Sequence, residues 1–173
     1  MPEQESVRER IMTRFDESPG QRRVVELMLE RGFSVNSEGR VVSGGIEIPN
    51  TQIAEEAGVD RRVVDATTST ILDDPELDPI FRNIESIPSL KNVAPVLGLS
   101  VLTIRVSDAS SSGVVSTLTK IIADHGVSIR QAVTDDPYFT DEPRFTVITS
   151  GEIHGELVED LAAVEFVEEV EVS

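Results

Sequence analysis

From residue 99 onward the spacing of apolar residues changes in a fixed order, and that order restricts the fold more than any other feature of the chain. LSVLTIRVSD alternates with Leu102, Ile104 and Val106 on one side, as a strand with one buried face does. ASSSG is a small-residue loop. GVVSTLTKIIADHG then places Val114, Leu118, Ile121 and Ile122 on one side of a helix, with Gly126 ending it. VSIRQAVTDD reads as a strand, and RFTVITSG as another after the turn-rich PYFTDEP. HGELVEDLAAV is a second helix and FVEEVEVS a last strand. The order βαββαβ predicts an α+β fold of the ferredoxin-like kind for residues 99–173.

The first 72 residues follow a different pattern. In SVRERIMTRF, Ser6 and Glu9 have capping-box spacing, and Val7, Ile11 and Phe15 share a helical face. QRRVVELMLER repeats the helical spacing with Val24, Leu27 and Met28, and Gly32 is a stop. FSVNSEGRVVSGGIEIP holds two β-rich runs around an Asn-Ser-Glu-Gly turn and predicts a hairpin over 33–48. Pro49 and Asn50 start a helix from about 51 to 57. Between 73 and 98 lie four of the nine prolines, which predicts a linker containing at most a short helix at IFRNIES. The core is mostly aliphatic, because the chain has no Trp and one Tyr.

QIAEEAGVDRRVVDATTSTIL, residues 52–72, joins two helices at Gly58, where a left-handed backbone costs least. Ile53, Ala54 and Ala57 form the buried face of the first helix, and Val59 plugs the corner. Asp60 caps the second helix, in which Val63, Val64, Thr67, Ile71 and Leu72 keep helical spacing. The pattern resembles a helix-turn-helix of the winged-helix kind. The exposed face of 60–72 is expected to carry Arg61, Arg62, Asp65, Thr68 and Ser69. Of these Arg61, Arg62, Thr68 and Ser69 are candidate DNA contacts, since the first residues of such a helix meet base edges and arginine suits guanine. Asp65, Asp73 and Asp74 oppose phosphate. Two readings therefore stay open: a DNA-reading head, or a module used for packing or protein contact.

Charge does not decide between them. The net charge is −17, from 32 acidic and 15 basic residues, and Lys91 and Lys120 are the only lysines. This composition resembles that of proteins from salt-loving archaea. In molar salt the Debye length is about 3 Å, so repulsion between an acidic protein and DNA is nearly abolished. The same salt removes most of the counterion-release gain. Short-range groove contacts must then supply the affinity.

The loop after residue 107 has chemistry of its own. Residues Ala109, Ser110, Ser111, Ser112, Gly113 and Val114 place main-chain N–H groups at the start of a helix, a setting that favours a carboxylate. Gly113 lets a ligand approach the backbone, and Asp108 suits an α-ammonium. The strand ending in Asp108, the Ser/Gly loop, the Val114-Val115 helix start and the DHGVSI leading into the next strand resemble an ACT domain. That is the amino-acid-sensing module attached to many metabolic enzymes and regulators. Residues 20–173 as a whole are similar to an archaeal family of predicted regulators of amino-acid metabolism, with a helix-turn-helix ahead of an ACT domain. The resemblance implies a dimer whose ligand lies between this loop and the start of the partner's second strand, here Val127, Ser128 and Ile129. The loop DASSSG departs from the usual form in being longer and lacking its proline.

Chemistry of other kinds is not expected. There is no cysteine, hence no disulfide or thiol nucleophile, and no run of 18 apolar residues. MPEQESVRER lacks the apolar stretch of a secretory signal. The two histidines, His125 and His154, have no metal-ligand spacing, and no Walker or Rossmann signature occurs. The sequence thus predicts a cytoplasmic, non-enzymatic homodimer or higher homo-oligomer, without cofactor or membrane contact. It would bind a small amino acid and regulate transcription through DNA, with domains at 1–72, 73–98 and 99–173. The alternative is a regulatory subunit that controls an enzyme by protein contact. Two further rivals are a leucine-responsive-type regulator, which usually lacks the 33–48 hairpin, and a purely structural dimerisation module.

Overall fold

The computed structural model describes residues 6–140 and 142–173; the first five residues, read above for a signal, and residue 141 of PYFTDEP lie outside the described part. The fold is α+β, with two antiparallel sheets and seven α-helices among the described residues. The chain divides into two compact units after Pro88.

In the first unit, α1 (Val7–Thr13) opens with the expected reciprocal cap. The Glu9 amide donates to Ser6 Oγ at 3.1 Å, and the Ser6 amide donates to Glu9 Oε2 at 2.9 Å. Helix α2 (Pro19–Arg31) stops at Gly32, whose φ of 64° and ψ of 37° are left-handed. Three short strands follow in the order β1 (Ser34–Val35), β2 (Val41–Ser43), β3 (Ile46–Glu47). The expected hairpin therefore gains a third strand, because Gly44 and Gly45 both take positive φ and reverse the chain again. Asn36 Oδ1 closes the first turn by accepting from the amides of Glu38 and Arg40, each at 3.0 Å.

Helix α3 (Asn50–Ala57) ends at Gly58, and α4 (Arg61–Asp73) begins after Asp60, whose carboxylate accepts from the Arg62 amide at 2.8 Å. Arg23 of α2 donates to the carbonyls of Ala57 and Gly58, tying the turn to the body of the unit. Ile53, Ala54, Val64 and Ile71 are buried between these helices.

The proline-rich stretch 73–98 is shared between the two units. Its first part forms α5 (Leu77–Asn83), which packs on α4 and β1 and buries Leu77 and Phe81. Pro79 is tolerated because it lies in the first helical turn, where its missing N–H has no intrahelical acceptor to lose. Asp74 anchors the turn: Oδ1 accepts from the amides of Glu76 and Leu77, and Oδ2 from Arg14 Nε at 3.1 Å.

In the second unit the order is β4 (Leu99–Val106), α6 (Val114–Asp124), β5 (Ser128–Thr134), β6 (Arg144–Ser150), α7 (Gly155–Ala162), β7 (Val167–Val172). This is the βαββαβ order of the sequence, and the sheet order is β5-β6-β4-β7. Leu102, Ile104 and Val106 pack against Leu118 and Ile122 of α6 and Leu157 and Leu161 of α7. Alternation predicts one buried face for β4, yet Val101 is also buried, together with Ile148, beneath Ala94 and Leu90. The remainder of the proline-rich stretch thus covers the second face of the sheet.

Phe81 decides whether α5 is structural. Phe81→Ala should lower the stability of the first unit by about 3–5 kcal/mol in urea titrations, as emptying a packed aromatic site does. Ile87→Ala, at a side chain 65% exposed, should change the same titration little. An unshifted midpoint for Phe81→Ala would make α5 a passenger on a linker.

Candidate functional site

Two regions hold the residues singled out by sequence. The first is the outer face of α4. Arg61 and Arg62 occupy its first turn and are exposed, as is Ser69 about two turns on. Thr68 corrects the expectation. It is only 3% exposed, and its hydroxyl donates to the Asp65 carbonyl at 3.1 Å. Four residues after Val64 and three before Ile71, it shares their inward side of the helix.

Asp65 is not a free charge on this face. Its Oδ1 accepts from Asn50 Nδ2 at 2.6 Å, and its Oδ2 lies 3.7 Å from Arg61 Nε. A cleft of about 250 Å³ runs beside it, lined by Glu38 and Arg40 of the first hairpin turn and by Asn50, Asp65, Thr68 and Ser69. Sequence reasoning missed Arg40 here. Its signal was the Asn36–Gly39 turn, which brings residue 40 back toward α4.

The second region follows β4. The pairing of β4 with β7 is irregular between Arg105 and Val106, and the chain leaves the sheet at Ser107. Asp108 then spends its carboxylate on its own loop. Oδ1 accepts from the Ser110 amide at 2.9 Å and the Ser110 hydroxyl at 2.6 Å, and Oδ2 from the Ser111 hydroxyl at 2.6 Å. The Ser111 amide donates to the Asp108 carbonyl at 3.4 Å. Two of the loop amides expected to face a ligand are therefore already bonded within the protein. The hydroxyl of Ser110, then that of Ser111, holds the Asp108 carboxyl below the usual aspartate range by stabilising its ionised form.

Helix α6 begins after Gly113, at φ 91° and ψ −10°, with no side-chain cap. A Cβ at Gly113 would meet only Ser116 Oγ, at 3.9 Å, so glycine answers the left-handed backbone rather than crowding. The amides of the first turn lack intrahelical acceptors by construction. Ser112 is exposed beside them, whereas Val114 and Ala109 turn their side chains to the core and offer main chain alone.

Val127, Ser128 and Ile129 lie elsewhere. Ser128 pairs with Ser150, which pairs with Leu99 at the start of β4, while the Asp108 loop follows the end of β4. At about 3.3 Å per residue the two groups sit on the order of 20 Å apart along the sheet. A single chain does not bring them together.

A different set adjoins the loop. A cleft of about 240 Å³ lies between the start of α6 and the β5–β6 ends, lined by Ala109, Val114, Val115, Asp135, Asp136 and Arg144. Asp135 and Arg144 face each other across that hairpin: the Asp135 amide donates to the Arg144 carbonyl at 3.0 Å, and Asp135 Oδ2 accepts from the Arg144 amide at 3.1 Å. The Arg144 guanidinium lies 3.6 Å from Glu142. Of the two histidines, His125 joins the end of α6 to α7 through Nε2 and Asp160 Oδ2 at 2.8 Å, and His154 precedes the first turn of α7. Among the described residues no group of three His, Cys, Asp or Glu side chains is placed to hold a metal, and no helix is long and apolar enough to cross a membrane.

No family model and no curated protein matches the sequence. Among solved structures, a homoserine dehydrogenase from Thiobacillus denitrificans is 17% identical at a TM-score of 0.33, covering 69% of this chain; the chain spans only 26% of that enzyme's length. An AsnC family transcriptional regulator from Agrobacterium tumefaciens is 9% identical at a TM-score of 0.30, with 90% of this chain and 88% of that one covered. Likenesses this weak assign neither a family nor an activity.

The Asp108 loop has a pH signature. Because the folded carboxyl is depressed, its contribution to stability is present above the unfolded aspartate pKa and is lost as pH falls through the folded one. NMR titration should find Asp108 ionised to lower pH than an ordinary exposed aspartate, and Ser110→Ala should return it toward the ordinary range. An Asp108 that titrates alike in both proteins would show that the serine bonds are not maintained in solution.

Proposed function

We propose that this protein is an amino-acid-responsive, DNA-binding regulator of amino-acid metabolism, built from a winged helix-turn-helix head and an ACT-type, ferredoxin-like sensor. The observation that carries the reading is the pairing, in one chain, of exposed Arg61 and Arg62 at the first turn of α4 with an uncapped α6 start after a β4 strand. Neither half implies regulation alone. Together they supply a reader and a receptor.

In this reading the α-carboxylate of a small amino acid lies at the first-turn amides of α6, where the peptide dipoles favour an anion. Gly113 leaves room for it, and the ionised Asp108, still bonded to Ser110 and Ser111, adds negative charge on the side of its ammonium. Val127, Ser128 and Ile129 of a second copy close the site, which makes the working unit a homodimer or a multiple of one. Within one chain the two groups lie on the order of 20 Å apart, so a site made of both requires a second copy. The ligand's differential affinity for two states of the dimer then sets the coupling to DNA, typically about 1–3 kcal/mol. On DNA, Arg61 and Arg62 supply the polar contacts at the start of α4, and Ser69, about two turns on, extends the same exposed face. The protein works in the cytoplasm, needs no cofactor and catalyses nothing.

Two measurements test the reading. In selection from random duplexes at molar KCl, the protein should enrich a sequence, and Arg61→Ala should weaken that site by about 5- to 150-fold, the range of one good arginine–guanine contact. In melting curves against the twenty amino acids, one or a few should stabilise the protein, by about 2.7 kcal/mol at a hundredfold excess over Kd. Absence of enrichment would leave the enzyme-controlling subunit as the better account. Absence of any melting shift would remove the sensor.

A further inference from the structure

We propose that Asp65 is a positioning residue for DNA reading: it holds Arg61 by its Nε edge and so makes Arg61, and not its neighbour Arg62, the residue that selects a base. This rests on the reading that α4 faces DNA. A carboxylate on the outer face of a reading helix repels phosphate, yet Asp65 stands one turn after Arg61 with its side chain 48% exposed.

The structure gives that carboxylate two separate tasks. Oδ1 accepts from Asn50 Nδ2 at 2.6 Å. Asn50 is the first residue of α3 and only 8% exposed, so the inner oxygen is fixed by a buried donor from another element. Oδ2 points the other way, 3.7 Å from Arg61 Nε. Arginine is otherwise a poor starting point for recognition, because a long exposed side chain samples many rotamers. An anchored carboxylate reduces that sampling.

The edge that is held matters. A guanidinium offers donors along its Nε side and at its Nη1–Nη2 end. At 3.7 Å the Nε–Asp65 contact is an ion pair and not a hydrogen bond; it draws the Nε side toward Asp65 and leaves the Nη end available for a pair of acceptors, and O6 and N7 of guanine are such a pair. Arg62 has no ion pair among the described residues. It is free to follow phosphates, which position a protein without selecting sequence. Two adjacent arginines thus take different duties, and the difference comes from residue 65.

Asp65→Asn is the informative variant, because an asparagine there still accepts from Asn50 while its charge on Arg61 is gone. In the selection assay at molar KCl, with the full chain, the wild-type preference at one base pair should fall at least fivefold in Asp65→Asn, the lower bound of one lost bidentate contact. Preference at other positions should hold. Arg61→Ala should erase preference at that same base pair, and Asp65→Asn added to Arg61→Ala should change nothing more, as expected for coupled residues. In the absence of DNA, the Arg61 Nε–H resonance should shift in Asp65→Asn while that of Arg62 stays. Uniform weakening over all positions, or an unaltered preference alongside wild-type enrichment, would overturn the positioning role and leave DNA binding intact. A wild type with no enrichment would overturn both.

Discussion

Strand β4 is covered on both faces, and the second unit depends on that. Leu102, Ile104 and Val106 bury one side under α6 and α7, while Val101 is sealed beneath Ala94 and Leu90 on the other. A strand enclosed in this way cannot slip by one residue without turning its apolar side chains out of both layers. Its register with β6 and β7 is therefore fixed, and so is the point where it ends. The irregularity at Arg105–Val106 and the Asp108 loop follow at a set place, and the start of α6 follows from them. The candidate ligand loop owes its position to the interior of a strand and its shape to one carboxylate.

The first unit shows how a chain of net charge −17 uses its few cations. Arg14 binds Asp74 and Glu76, Arg22 binds Asp16, Arg31 binds Glu56 and Arg82 binds Asp78. Exposed pairs of this kind each add little to stability. Their distribution says more than their energy. Arg40 and Arg62 have no ion pair among the described residues, and Arg61 is held only along one edge by Asp65. All three lie at α4 or at the turn beside it. In an acidic protein, arginines of the α4 face and its neighbouring turn that lack a close ion pair are where an anionic partner would find short-range contacts once salt has screened the rest.

Much of this was legible in the sequence, for reasons that can be stated residue by residue. The βαββαβ order came through because the spacing of apolar residues changes cleanly at each element. Gly58 and Asp60 marked the α3–α4 turn, and Ser6 with Glu9 marked the start of α1, since these caps act within four residues. What escaped depends on tertiary context. The prolines at 75 and 79 suggested a linker, but Leu77 and Phe81 find buried places that no local pattern records. Thr68, expected on the exposed face, is inside by its helical phase. Asn50 and Asp65, fifteen residues apart, meet only once α3 and α4 fold together. Arg144 and Asp135 likewise meet only across a hairpin.

The most direct test of the sensor is an amide NMR titration of the full-length protein with whichever amino acid raises its melting temperature. The account predicts that the resonances of Ser112 to Val115 shift together with those of Val127 to Ile129, two sets that one chain keeps at opposite ends of its sheet, with a stoichiometry of one ligand per chain. Shifts confined to Asp135, Asp136 and Arg144, with residues 112–115 and 127–129 unmoved, would contradict it.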